Sequence, residues 1–262
     1  MAATASDSSW LGSGIERASP ADRAFLAMDA GEFREQFGVL LVLDPAPGFN
    51  LEVLRGVIAG RIAAVPRLRQ KLVRVPFGCG GPIWVDDPGF EVSNHVRSEP
   101  CPEPCEQRAL LDTALSVVAT PLKRNAPLWA AVLVTGLANS RAALVLVLHH
   151  ALADGVGGLA VLANLVDGRP SPRDTGFPRP APTAAALASQ ALAARRRALI
   201  DGRRSWRLLR NATGAGGGLH PPRAAASSLV RKTGSRRRLA VIRVNIAKVR
   251  AASRFEPRPS IM

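Results

Sequence analysis

The sequence predicts an α/β domain built on a mixed sheet. Three observations carry that reading. Between residues 37 and 166, apolar runs of strand length alternate with segments whose apolar residues recur at helical spacing. The runs LWAAVLVTGL (128–137) and RAALVLVLHH (141–150) stand close enough for an antiparallel hairpin turning at Ala138–Ser140. Both runs are apolar on successive residues, so both faces of their sheet are expected to be covered.

Each element has its own justification. FGVLLVLDP (37–45) reads as a buried strand that stops at Asp44-Pro45. Residues 50–65 place Leu51, Leu54, Ile58, Ile62 and Val65 at helical spacing, with Asn50 as N-cap and Pro66 as the stop. LRQKLVRV (68–75) and IWVDD (83–87) read as strand pieces on either side of the turn GCGGP. Residues 102–120 form a second helix, with Leu111, Leu115 and Val118 on one face. A third helix is expected from just after Asp154 to about Val166. Pro and Gly dominate 168–182, the composition of a linker. Residues 183–210 read as one long Ala/Leu/Arg-rich helix, and RRRLAVIRVNI (236–246) as a further strand.

Charge separates the chain into two parts. Of its net +15, residues 1–194 contribute −1, with 17 Lys/Arg against 18 Asp/Glu. Residues 195–238 hold 13 Lys/Arg and the single acid Asp201. A neutral body with one late basic segment, and no recognition motif beside it, argues against nucleic-acid binding. The segment 195–238 suits peripheral contact with an anionic membrane or lipid-droplet surface, a phosphorylated ligand, or plain solvation. Cys79, Cys101 and Cys105 are too few and too uneven for a disulfide framework, and only His95 lies near the Cys101/Cys105 pair, so no metal site is expected. The N-terminus lacks the pattern of a secretion signal, and no apolar run reaches the ~18 residues of a membrane span. A reducing, cytoplasmic setting fits these features, with any membrane contact peripheral.

The chemistry concentrates in LVLVLHHALADGVGG (144–158). A histidine at the end of a buried strand is held by backbone that the sheet has fixed, and its pKa near neutrality lets it take and return a proton. Successive strand residues point to opposite faces, so His149 and His150 are expected to do different jobs. Asp154 lies one helical turn beyond His150 and could orient an imidazole, cap the helix or pair with an arginine. Gly155 has no Cβ and permits close approach of a ligand. A lone His pair would read as core histidines with Asp154 as a helix cap; the full pattern at these offsets is harder to dismiss.

His149-His150-Ala-Leu-Ala-Asp154-Gly155 resembles the H-H-x-x-x-D-G motif of the CoA-dependent acyltransferase superfamily. The flanks SPADRAFLAMD (19–29), PRLRQKLV (66–73), IWVDDPGFEVSNHVR (83–97), PLKRNAPLW (121–129) and TGSRRRLAVIRV (233–244) resemble the bacterial wax ester synthase/diacylglycerol acyltransferase family in order. The resemblance implies a chloramphenicol acetyltransferase-like lobe, the first of two, followed by a crossover. It implies transfer of a long-chain acyl group from acyl-CoA, as co-substrate, to the hydroxyl of a fatty alcohol or diacylglycerol. No permanently bound cofactor, metal or covalent acyl-enzyme is implied. His150 would be the general base, His149 a support, and Asp154 a brace held through an arginine, with Arg124 the choice here. Gly155 fits the close-approach position. Pro127-Leu128-Trp129 matches a family segment, and a strand start with a core Trp explains it equally well. Ala130 and Lys123 stand where acidic residues are common in the family.

The resemblance also implies an organisation. Residues 1–18 would be a flexible N-terminus, 19–167 the first lobe, 168–235 a linker with the basic helix, and 236–262 the start of a second lobe. The chain is expected to be truncated there, leaving His150 exposed to water and the chain weakly active alone. Two other readings stay open: a non-catalytic lipid- or CoA-binding fragment, and a condensation-type domain that forms amides.

Overall fold

The structure, a computed structural model, describes residues 14–29, 34–153, 155–165, 176–200, 202–213, 237–241, 245–247 and 250. The first helix, α1 (Pro20–Met28), starts where Ser19 accepts from the Asp22 backbone and Asp22 returns a bond to the Ser19 backbone, a reciprocal capping box with Pro20 in the first turn. Strand β1 (Gln36–Leu43) follows, then α2 (Leu51–Arg61), whose Asn50 cap accepts from Glu52 and Val53. Two short 3-10 turns lead to β2 (Gln70–Val73) and β3 (Ile83–Asp86). Strand β4 (Val96–Pro100), helix α3 (Gln107–Ala119), and strands β5 (Trp129–Thr135) and β6 (Ala142–His149) complete the central sheet. Helices α4 (Gly155–Leu165), α5 (Ala184–Ile200) and α6 (Gly202–Thr213) come after it.

The central sheet has the order β1-β6-β5-β4. β6 is antiparallel to both β1 and β5, while β4 runs parallel to β5, so the sheet is mixed as expected. The parallel pair needs a crossover, and α3 supplies it. Alternation along β5 and β6 fills two cores. Trp129, Ala131, Leu133, Leu146 and Leu148 pack with Leu54, Ile58 and Ile62 below α2 and with Val161 of α4. Val132, Val134, Ala143, Val145 and Val147 pack against Leu110, Ala114 and Val117 of α3.

β2 and β3 form a separate antiparallel ribbon. The segment around Arg17 lies along its edge through bonds from Ala18 to the Pro82 carbonyl and from Trp84 to the Glu16 carbonyl. α5 lies on this ribbon: Leu187 joins Cys79 and Ile83, and Arg17 reaches Gln190 at 2.6 Å. Asp86 binds Arg179 through its backbone N–H and its guanidinium, and the pairing draws the carboxyl down to about 2 against the upward push of burial.

Five expectations are corrected here. β1 is an edge strand with no fully buried residue, and Val42 is 52% exposed. The buried stripe of α3 is Leu110, Thr113, Ala114 and Val117, not the neighbouring Leu111, Leu115 and Val118. Both stripes are mainly apolar, and the small Ala114 lets the helix approach the sheet on its own side. The long helix over 183–210 is two helices, ending at Ile200 and restarting at Gly202. Residues 237–241 form no strand, and 242–244 lie outside the described residues. Cys101 and Cys105, read as too sparse for a disulfide framework and placed in a reducing setting, form a disulfide with their Cα atoms 5.6 Å apart. The turn from β4 into α3 brings them within bonding reach, which the spacing alone did not reveal.

Candidate active site

The site grows from the end of β6. His149 is the last strand residue, paired opposite Gln36 of β1, and its N–H donates to the Leu128 carbonyl. The chain then leaves the strand in a tight turn. The Leu152 and Ala153 N–H groups donate back to the His149 carbonyl, and the His150 N–H donates to Glu35 at 2.8 Å. Both histidines therefore stand on backbone fixed from two sides.

Their rings have different surroundings. His149 is 1% exposed. Its Nδ1 accepts the Ala151 N–H at 2.9 Å, so Nδ1 carries no proton and Nε2 does. Nε2 donates to Asp29 Oδ2 at 3.3 Å. Burial holds the imidazole pKa below its ordinary value, and the charges of Arg124 and His150 add to that; the Asp29 carboxylate opposes them and is outweighed. His149 is thus a neutral, fully bonded ring.

His150 is half-buried, with two phenyl groups packed beside its ring. Phe25 of α1 stacks on it at 5.0 Å and 22°, and Phe37 of β1 lies tilted at 4.9 Å. Phe37 also meets α4. A Cβ on Gly158 of α4 would come within 2.9 Å of its ring, so only glycine lets the helix approach this closely.

Asp29 is the site residue that sequence reasoning missed. It caps the C-terminus of α1 and its side chain is 6% exposed. Besides His149, the carboxylate accepts the Glu35 N–H at 3.1 Å and pairs with Arg124. Burial alone would raise its pKa, but the Glu35 N–H, Arg124 and His149 together hold it below the usual carboxylate range. The available signal was the capping box Ser19-Pro-Ala-Asp22, which starts a helix just long enough to deliver Phe25 and Asp29 to the end of β6.

Asp154, expected to brace the turn, lies outside the described residues; Gly155 opens α4. Arg124, chosen as Asp154's partner, pairs with Asp29. Trp129 is buried in the joint between the sheets: its Nε1 donates to the Leu68 carbonyl at 2.7 Å and its ring stacks on His95 at 4.7 Å. Leu128 is equally buried, against Trp84 and Ala151, and the Pro127 carbonyl accepts the Trp129 N–H. The contacts of these three residues are with the core and the backbone. A depression of about 350 Å³ lined by Arg34, Gln36, Ser116 and Val118 lies between β1 and α3 and does not include His150. Among the described residues, no three His, Cys, Asp or Glu gather as metal donors.

The model of the wax ester synthase/diacylglycerol acyltransferase catalytic domain matches residues 18–255. The chain belongs to this family. A probable diacylglycerol O-acyltransferase of Mycobacterium tuberculosis is 34% identical over 148 residues, 56% of this chain and 55% of that protein. A putative diacylglycerol O-acyltransferase of the same organism is 35% identical over 159 residues, 60% of this chain and 34% of that protein. The chain thus spans about half or less of the length of the curated relatives it matches. The solved wax ester synthase/diacylglycerol acyltransferase of Marinobacter aquaeolei VT8 is 24% identical, covering 56% of this chain and 37% of that one with a TM-score of 0.45.

Proposed function

We propose that this chain carries the proton-transfer half of an O-acyltransferase site that moves a long-chain acyl group from acyl-CoA to a fatty alcohol or diacylglycerol, with His150 as the general base. The carrying observation is the contrast between the two rings. His149 has both nitrogens occupied by protein partners, whereas His150 stands half-buried on a fixed turn beside Phe25 and Phe37.

In this mechanism His150 takes the proton of the acceptor hydroxyl as its oxygen attacks the thioester carbonyl. The tetrahedral intermediate collapses with breakage of the carbon–sulfur bond. The proton passes from His150 to the departing CoA thiolate, leaving an ester, free CoA and a neutral imidazole. Phe25 and Phe37 pack beside the ring and restrict its rotation. Acyl-CoA is a co-substrate and no resident cofactor is required.

His150→Gln should lower release of CoA thiol from acyl-CoA and a long-chain alcohol or diacylglycerol by roughly 10²–10⁴-fold, the usual contribution of a positioned base. Turnover within about threefold of wild type in the folded variant would remove His150 from this role.

A second reading concerns where the reaction takes place. In α6, Trp206 and Leu209 are 68% and 51% exposed, one helical turn apart, with Arg207 and Arg210 beside them. No acid other than Asp201 stands within 195–238. That combination supports peripheral docking of α6 on an anionic membrane or lipid-droplet surface, which would bring the site to its lipid acceptors. Among the described residues, no helix is long and apolar enough to cross a membrane.

A further inference from the structure

We propose that Asp29 is a positioning residue for the turn that presents His150, acting through the ring of His149. The inference rests on the reading of His150 as the base. Five contacts meet at or branch from Asp29. Arg124 pairs with the Asp29 carboxylate, whose Oδ1 accepts the Glu35 N–H at 3.1 Å. Oδ2 accepts Nε2–H of His149 at 3.3 Å, which fixes the ring's orientation and leaves Nδ1 aimed at the turn. Nδ1 accepts the Ala151 N–H at 2.9 Å. Ala151 follows His150 directly, and Glu35, which Asp29 holds by its N–H, accepts the His150 N–H through its carbonyl at 2.8 Å.

Asp29 therefore grips the His150 turn twice, once from the Glu35 side and once through His149. Both routes end on backbone atoms within one residue of the His150 Cα. The same residue closes α1, the helix that carries Phe25 onto the His150 ring. One buried carboxylate thus ties together the strand end, the turn and the aromatic lid of the proposed base. A buried acid with this many donors has no freedom to reach substrate, so its effect passes through the groups it holds.

The test is a double-mutant cycle on the full chain, pairing Asp29→Asn with His149→Asn. The amide is nearly isosteric with the carboxylate but offers one acceptor oxygen, so it cannot serve the Glu35 N–H, His149 Nε2–H and Arg124 together. Two quantities are read: the exchange rate of the Ala151 amide hydrogen and the kinetics of CoA thiol release. Asp29→Asn alone should speed Ala151 exchange and lower kcat by about tenfold or more, with KM changed less than about threefold. In the His149→Asn background, the same change should have a clearly smaller effect on both, the remainder passing through the Glu35 route. Equal effects in the two backgrounds, or unchanged Ala151 exchange in Asp29→Asn, would overturn the proposal. Side-chain nitrogen NMR of the unaltered chain gives a reading that needs no variant: His149 should be the Nε2–H tautomer, and a Nδ1–H tautomer overturns the proposal. His150→Gln keeps the two ideas apart. Turnover that survives it removes the base, while Ala151 exchange still reports whether Asp29 holds the turn.

Discussion

His149 and His150 are neighbours in sequence and opposites in environment. The last hydrogen-bonded position of β6 turns one ring into the protein, and the first turn position leaves the other beside two phenyl groups. A buried neutral imidazole also has a consequence for stability. His149 and His95 both have their pKa lowered from the ordinary 6.5, burial being the largest cause in each. Their folded forms bind a proton less readily than their unfolded forms. The stability they contribute is full above about 6.5 and is lost as pH falls through that value toward the folded pKa values. We expect the melting temperature to fall as pH drops from about 7.5 to about 5, and to fall less steeply in His149→Gln. Asp29 and Asp86 add nothing in that window, because both are held below 3.8 and lose their contribution only in stronger acid. Equal pH slopes for the wild type and the variant would show that His149 is not the titrating group.

Elements differ in how far their own residues decide them. The Asn50 cap and the apolar spacing of 51–62 define α2, and both were legible because they are local. The buried face of α3 was not, since two adjacent stripes are mainly apolar and only contact with the sheet chooses between them. β1 looks like a core strand by composition, yet its place at the sheet edge leaves it half-wet. The helix pair α5–α6 divides by surroundings as well as by chain. α5 packs Leu187 against the β2–β3 ribbon, whereas α6 presents Trp206 and Leu209 outward beside arginines. If α6 docks on lipid, the chain should float with vesicles containing about 30% anionic lipid at low salt. It should be released by about 0.5 M salt, which shortens the screening length to a few ångströms. Trp206→Ala should weaken flotation severalfold. Binding that ignores both salt and lipid charge would exclude this mode.

The whole molecule depends on a joint between its two sheets. Trp129 sits in the β5 core, stacks on His95 and donates its Nε1–H to the Leu68 carbonyl at the entry to β2. Leu128, beside it, packs on Trp84 of the ribbon and on Ala151 of the site turn. Trp129→Phe keeps an aromatic ring but leaves the Leu68 carbonyl without its partner in a dry interior. We expect a loss of about 2 kcal/mol in urea unfolding, the cost of an orphaned buried polar group with some lost packing. A loss below about 0.5 kcal/mol would show that the joint is held elsewhere. Gly38 marks a second point of close assembly, where an added Cβ would strike Val118 of α3.

The sequence by itself determined strands β1, β2, β3, β5 and β6, helices α2, α3 and α4, and the motif at the end of β6, but it missed α1 and β4 and read a strand over 236–246 that residues 237–241 do not form. The features it determined follow from short-range periodicity, caps and a rare pattern of residue types. Only the tertiary structure decided that Arg124 belongs to Asp29, that Phe25 and Phe37 pack beside His150, and that Cys101 is bonded to Cys105. Asp29 lies 120 residues before His149. Its role is a matter of where α1 ends against the sheet, and no local spacing encodes that distance. Burial then removes the water that would otherwise compete for the same hydrogen bonds, which is why the contact fixes one tautomer and one ring orientation.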